Sequence, residues 1–131
     1  MPHASRISMS RSAACAALIA LLAGCDRDGH WRDARLATGG DPAHGRAAML
    51  HYGCGACHTI PGVPGASSKV GPNLSGIASR MYIAGVLPNT PSNMMRWIED
   101  PQGVDHLTAM PEMGVTPRDA RDMASYLYAL K

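Results

Sequence analysis

Residues 52–60 read Tyr-Gly-Cys-Gly-Ala-Cys-His-Thr-Ile, placing Cys54 and Cys57 three apart with His58 directly behind the second. What such a pair is for depends on which partners it has. The chain holds four cysteines, and two of them, Cys15 and Cys25, fall in or at the end of an N-terminal leader, so only the close pair remains in the part expected to fold. Two cysteines at this spacing close a tiny loop and staple nothing distant, which excludes a disulfide framework. A thiol–disulfide oxidoreductase sets its Cys-x-x-Cys beside a βαβ pattern, and no alternating or β-branched strand runs flank this one. A structural zinc site needs two more ligands at a second paired spacing, and none follows. Covalent haem attachment is the use that Cys-x-x-Cys-His describes directly. Cysteines at i and i+3 share one face of a helical turn, where both sulfurs can bond the two vinyl groups on one porphyrin edge. His58 then stands ready as the proximal iron ligand.

The front of the chain bears on where this chemistry takes place. Residues 1–24 carry Arg6 and Arg11 and then an uncharged run from Ser12 to Gly24. That run is too short for the ~20 apolar residues of a spanning helix but suits the apolar region of an export signal. The stretch Leu22-Ala23-Gly24-Cys25 resembles the lipobox of bacterial lipoproteins, in which the cysteine is acylated and becomes the new N-terminus. Asp26 behind it resembles the signal that retains some such lipoproteins on the inner membrane. The expected organisation is a lipoprotein-type leader over 1–24, a lipidated Cys25 with a flexible tether to residue 41, and one domain over 42–131. The 16 residues from Asp26 to Asp41 would span about 20 to 24 Å as a flexible chain.

Without its first 24 residues the 131-residue chain keeps 107, enough for one small domain. Both leader arginines go too, leaving ten Lys plus Arg against ten Asp plus Glu. A chain with no basic excess has no electrostatic footprint for nucleic acid.

The fold class expected is all-α, with three to four helices. Asp41-Pro42, Thr90-Pro91 and Thr116-Pro117 each pair an N-cap acceptor with a residue pre-set for the first helical turn. The first helix puts Gly45, Ala48, Met49 and Tyr52 on one stripe, the second must stop before Pro101, and the last sets Ala120, Met123, Ala124, Leu127 and Lys131 in register. Long Pro- and Gly-rich loops, residues 59–74 and 100–117, lie between them. Loops of this length usually carry function. With no Phe and only two Trp and four Tyr, the protein offers them little to pack on, and a haem would supply a large apolar disc for them to wrap.

Over residues 40–131 three motifs stand in order: Cys54 to His58, Gly71-Pro72-Asn73-Leu74, and Thr108-Ala109-Met110-Pro111. In this the chain resembles the class I c-type cytochromes, small all-helical electron carriers with one haem held between a His and a Met. The resemblance implies a single covalent haem c and a close crossing of first and last helices, here Gly45 against the Tyr126 to Leu130 end. It implies that the Pro72 carbonyl accepts a hydrogen bond from the far nitrogen of His58, which would fix its tautomer and basicity. Arg80 and Trp97 match positions near the haem propionates.

The sixth ligand is chosen among nine methionines. Met49, Met94, Met95 and Met123 fall on helices, where methionine is ordinarily core filler. Met110 precedes Pro111, which holds it extended, and lies four residues before Gly114 as the family pattern has it. Met113 is the reserve. His30, His44, His51 and His106 read as tether, helix or loop residues, His106 being an alternative axial ligand. A thioether ligand favours ferrous iron and raises the potential relative to a second histidine, and two filled axial positions leave electron transfer as the chemistry rather than catalysis.

The expected function is a single-electron carrier on the periplasmic side of the inner membrane. By resemblance its donor is a quinol-oxidising complex and its acceptor a terminal oxidase. A fixed cytochrome c subunit of a membrane oxidoreductase such as a terminal oxidase is one alternative. A ligand-binding haem sensor or peroxidase-like enzyme, with an open sixth position, is another.

Overall fold

The computed structural model describes residues 29–130. The leader, Cys25, the first residues of the tether and Lys131 lie outside them. Five helices follow in order: α1 over residues 29–38, α2 Pro42–His51, α3 Pro91–Glu99, α4 Pro101–Val104 and α5 Pro117–Ala129. Single 3₁₀ turns at Cys54–Ala56 and Ile77–Ser79 interrupt the loops, and Tyr82–Ile83 pairs antiparallel with Leu87–Pro88 in a minimal hairpin. The chain is therefore mostly helical, as its sequence leads one to expect.

All three anticipated helix starts form by one device. The side chains of Asp41, Thr90 and Thr116 accept the backbone N–H of Ala43, Asn93 and Asp119 at 2.9, 3.3 and 3.2 Å, each with proline opening the helix. Asp100-Pro101 repeats it, Asp100 accepting from Gly103 at 2.7 Å, so α4 occupies the start of what reads in sequence as a loop. Four residues carry too little periodic pattern to announce a helix, although the cap was there to be read.

The tether also departs from expectation. Residues 29–38 form α1 instead of a flexible chain, with Ala34 and Thr38 buried and Trp31 packed against the core. Gly39 turns through a left-handed φ of 72°, and a β-carbon on Gly40 would collide with the carbonyl of Arg121, so the end of α1 lies directly on α5.

The core is organised around α5, which packs against both α2 and α3. Its expected stripe of Ala120, Met123, Ala124 and Leu127 is buried. The crossing with α2 sits at Gly45, but against the backbone of Asp122 and Met123, where a β-carbon on Gly45 would overlap the Asp122 carbonyl. That is about one helical turn earlier than the Tyr126 to Leu130 end. Tyr126 instead reaches the first long loop, donating its hydroxyl to the Pro61 carbonyl at 2.6 Å. Ile60, Val63 and Ala66 follow it into the core, so the first half of that loop is packed on protein. Its second half packs less closely: Leu74 is only partly buried against the core, and Val70 is 83% exposed.

Two predictions follow from these contacts. Gly45→Ala forces the helices apart at their closest point and is expected to lower the unfolding free energy by roughly 2 kcal/mol or more, the upper range for overpacking, read as a fall in the urea midpoint. Acid sensitivity is the second. The Ala43 amide holds Asp41 below the usual carboxylate range, and the Tyr52 hydroxyl, which donates to Asp119 at 2.8 Å, does the same for Asp119. Groups depressed on folding contribute stability that is complete above the unfolded carboxylate value of about 3.9 and is lost as pH falls through the folded one. The unfolding midpoint should therefore hold steady down to about pH 4 and decline below it, less steeply in an Asp119→Asn variant.

Candidate functional site

The end of α2 places the cysteine motif. Gly53, in the left-handed region at φ 72°, stops the helix and starts the 3₁₀ turn Cys54–Ala56. The Cys57 and His58 amides both donate to the Cys54 carbonyl, at 3.3 and 3.0 Å. In a 3₁₀ turn residues i and i+3 eclipse, which brings Cys54 and Cys57 onto one edge. Both are free thiols and partly buried. Cys54 lies against the core, and burial pushes its thiol above the ordinary value. Gly55 backs the turn onto Ala66, whose β-carbon a side chain there would meet at 2.8 Å.

The second motif is fastened to the first by backbone bonds. Gly71 N–H donates to the Cys57 carbonyl at 2.7 Å and Leu74 N–H to the Thr59 carbonyl at 2.9 Å. His58 Nδ1 lies 2.7 Å from the Pro72 carbonyl oxygen. A carbonyl can only accept, so the proton sits on Nδ1 and the neutral ring keeps its lone pair on Nε2. That leaves a metal-ligating nitrogen with a fixed tautomer. Gly71 makes the fit possible, because a β-carbon there would stand 2.6 Å from His58 Cε1 and 2.9 Å from Nδ1. The imidazole thus lies in a cradle floored by glycine.

Arg80 does not stand free. Its guanidinium donates to the carbonyls of Asn73 and Ser75, which draws it onto the same Gly71–Leu74 loop. Trp97 is partly buried on α3 against the core. Met110 sits in the loop between α4 and α5, partly buried, its N–H donated to Thr108 Oγ1 at 3.2 Å. Met113 is more open at 41% exposure, and Gly114 turns the chain behind both with φ 65°. Among the described residues no hydrogen bond links Trp97 or Met110 to the cysteine turn, so the structure gathers Cys54, Cys57, His58, Pro72 and Arg80 and leaves those two on separate elements. Val70, Met81, Tyr82, Val86, Leu107 and Met113, all in the connecting segments, expose much of their apolar surface. Together with one imidazole nitrogen and two thiols on one edge, this donor set fits a haem.

Three supporting residues escaped the sequence reading. Gly71 belongs to a recognised motif, but only the ring above it shows why glycine is needed. Asn89 donates to the carbonyls of Ile77 and Arg80, both at 2.8 Å, and accepts from the Tyr128 hydroxyl at 2.6 Å, pinning the Arg80 segment to α5. Asp122, buried on α5, accepts the Asp41 N–H and the His44 Nδ1–H, each at 2.7 Å. His44 is therefore an exposed helix residue with a partner, and no local sequence pattern announces the pair.

A family model described as cytochrome c matches residues 42–131. The chain belongs to the cytochrome c family. It is a class I c-type cytochrome, and the family's chemistry is haem-based electron transfer. This cytochrome c domain is also 32% identical over 88 residues to cytochrome c oxidase subunit 2 of Alkalihalophilus pseudofirmus, covering 66% of the present chain and 25% of that protein. The chain thus spans about a quarter of the length of that relative. No solved structure matches it significantly.

Gly71→Ala tests the cradle. The added methyl must displace the His58 ring from the Pro72 carbonyl, and the expected result is a haem-loaded fraction reduced severalfold, with a shifted reduction potential in what remains. Purified holoprotein should be quantified by its absorbance ratio and titrated potentiometrically.

Proposed function

We propose that the chain is a single-electron carrier with one haem c, bonded through Cys54 and Cys57 and ligated by His58 and Met110. The observation that supports this best is the His58–Pro72 hydrogen bond over Gly71, which presents Nε2 as a ligand. Bound there, haem c would supply one-electron iron chemistry. The residues do the rest. The turn from Cys54 to Cys57 offers two sulfurs to one porphyrin edge, and Pro72 holds the imidazole orientation and raises its basicity. Met110, more sheltered than Met113 and anchored by Thr108, offers a soft, neutral thioether that favours the reduced state. Arg80 and Trp97 are proposed propionate neighbours, by resemblance.

We place it on the periplasmic side of the inner membrane, acylated at Cys25. There it would take electrons from a quinol-oxidising complex and pass them to a terminal oxidase. Among the described residues no helix is long and apolar enough to cross a membrane. In this reading the attachment is the acyl group on Cys25. A second reading, the cytochrome-bearing subunit of a terminal oxidase, is favoured by the likeness to cytochrome c oxidase subunit 2. Purification in mild detergent separates them: a lone haem protein supports the carrier, persistent co-elution with other redox subunits the fixed component.

The ligand set is checked by Met110→Ala. Loss of the far-red methionine-to-iron band, a lowered reduction potential and rapid carbon monoxide binding to the ferrous protein are expected, while an unchanged spectrum would transfer the assignment to Met113. Wild-type protein that binds carbon monoxide readily would point to a haem sensor or peroxidase-like enzyme. Intact mass of material matured with a cytochrome assembly apparatus should exceed the polypeptide by one haem, and Cys54→Ala with Cys57→Ala should abolish that increment.

A further inference from the structure

Helix α1 precedes residues 42–131, the part that the family model matches, so electron transfer by that domain leaves the helix unexplained. It is nevertheless built into the body. Ala34 is 3% exposed, Thr38 is buried, and Trp31 packs against the core. Thr38 Oγ1 donates to the Ala34 carbonyl at 2.8 Å and accepts the Gly40 N–H at 3.1 Å, which closes the end of the helix. Just beyond, the Gly40 carbonyl accepts the buried Ser125 hydroxyl at 3.2 Å, and Arg35 Nη2 donates to Asp41 at 2.8 Å. These contacts fix α1 to α5 and to the start of α2. Its other side is open: Arg32, Asp33, Leu36 and Ala37 fall on one helical face and are exposed, Leu36 at 80%.

The docking of α1 changes how far the body can stand from an anchor on Cys25. Only residues 26–28 separate that cysteine from the helix. The chain from Cys25 to Gly29 spans at most about 15 Å even when fully extended. A free chain over residues 26–41 could instead stretch to about 55 Å. A domain of this size is roughly 30 Å across, so the remaining leash is about half the width of the body it holds. On so short a leash the body cannot turn over to present its opposite side, and the side bearing α1 stays against whatever holds the anchor.

We propose that the exposed face of α1 is the surface this protein lays on the lipid bilayer, the helix serving as a rigid strut between the acyl anchor and the electron-transfer body; this rests on the acylation of Cys25. Leu36 enters the boundary between headgroups and acyl chains, while Arg32 and Asp33 stay at headgroup level, the stem of Arg32 lying along the apolar boundary with its charge in water. A redox partner then meets the protein at the membrane surface, because the haem body cannot swing out to reach it.

The test uses the acylated, haem-loaded protein in liposomes of phosphatidylethanolamine and phosphatidylglycerol, carrying Leu36→Cys coupled to a benzophenone maleimide. With Cys25 holding lipid and Cys54 and Cys57 holding haem, position 36 is the thiol left to react. After irradiation, intact mass is read on this protein and on a second form with roughly twelve Gly and Ser residues inserted between Asp28 and Gly29, which adds about 17 to 21 Å of reach. The expected result is a phospholipid adduct on the first form that is mostly lost in the second. A dimer-sized product reports a second copy of the chain on α1 and overturns the proposal. So does the absence of any lipid adduct, or an equal adduct in both forms. The same spectra show the acyl and haem masses: a bare Cys25 removes the anchor reading and this proposal with it, whereas acyl and haem present without the adduct remove the strut alone.

Discussion

The hydrogen bond from His58 Nδ1 to the Pro72 carbonyl is the constraint on which the functional end of this molecule depends. It determines which ring nitrogen carries the proton and therefore which one can bind a metal. The bond exists because the backbone on either side is already zipped, Gly71 to Cys57 and Leu74 to Thr59. It also requires a residue without a β-carbon beneath the ring. Arg80, drawn onto Asn73 and Ser75, and Asn89, holding the Arg80 carbonyl, tie that loop back toward α5. A chain of small polar contacts thus runs from one imidazole to the C-terminal helix.

The opposite face is built on a different economy. Where α2 crosses α5, Gly45 lets two backbones touch, and Asp122 threads its carboxylate between the Asp41 amide and His44. A carboxylate buried with both oxygens engaged is satisfied, and it fixes the entry of α2 relative to α5. The same arrangement engages both acids and leaves Arg118 and Arg121 of α5 facing solvent.

Much of this could be read from the letters. The cysteine motif and three helix starts depend on local rules, namely fixed spacing, an acceptor before proline and an apolar stripe, and these survive folding with little change, whereas the Pro72 contact was implied by the family resemblance alone. What resisted reading depends on residues distant in sequence. The crossing partner of Gly45 lies on a helix whose apolar stripe looks equally good at several turns, so its place had to come from packing. Residues 29–38 look polar and linker-like because their one buried face is supplied by Ala34 and Thr38 and their anchor by Arg121. Asn89 has no motif at all, and its value comes from the three groups it happens to join.

The position of α2 against α5 has a consequence for the order in which the protein comes into being. During synthesis α2 and the cysteine turn appear well before α5, the helix α2 packs against, which begins only at Pro117. Until then the buried stripe of α2 has no surface to meet, and pairing so distant in sequence is slow to form. The cysteine turn is consequently made while the helix that leads into it still lacks its packing partner. The last helix is thus the latch that completes the packing of α2.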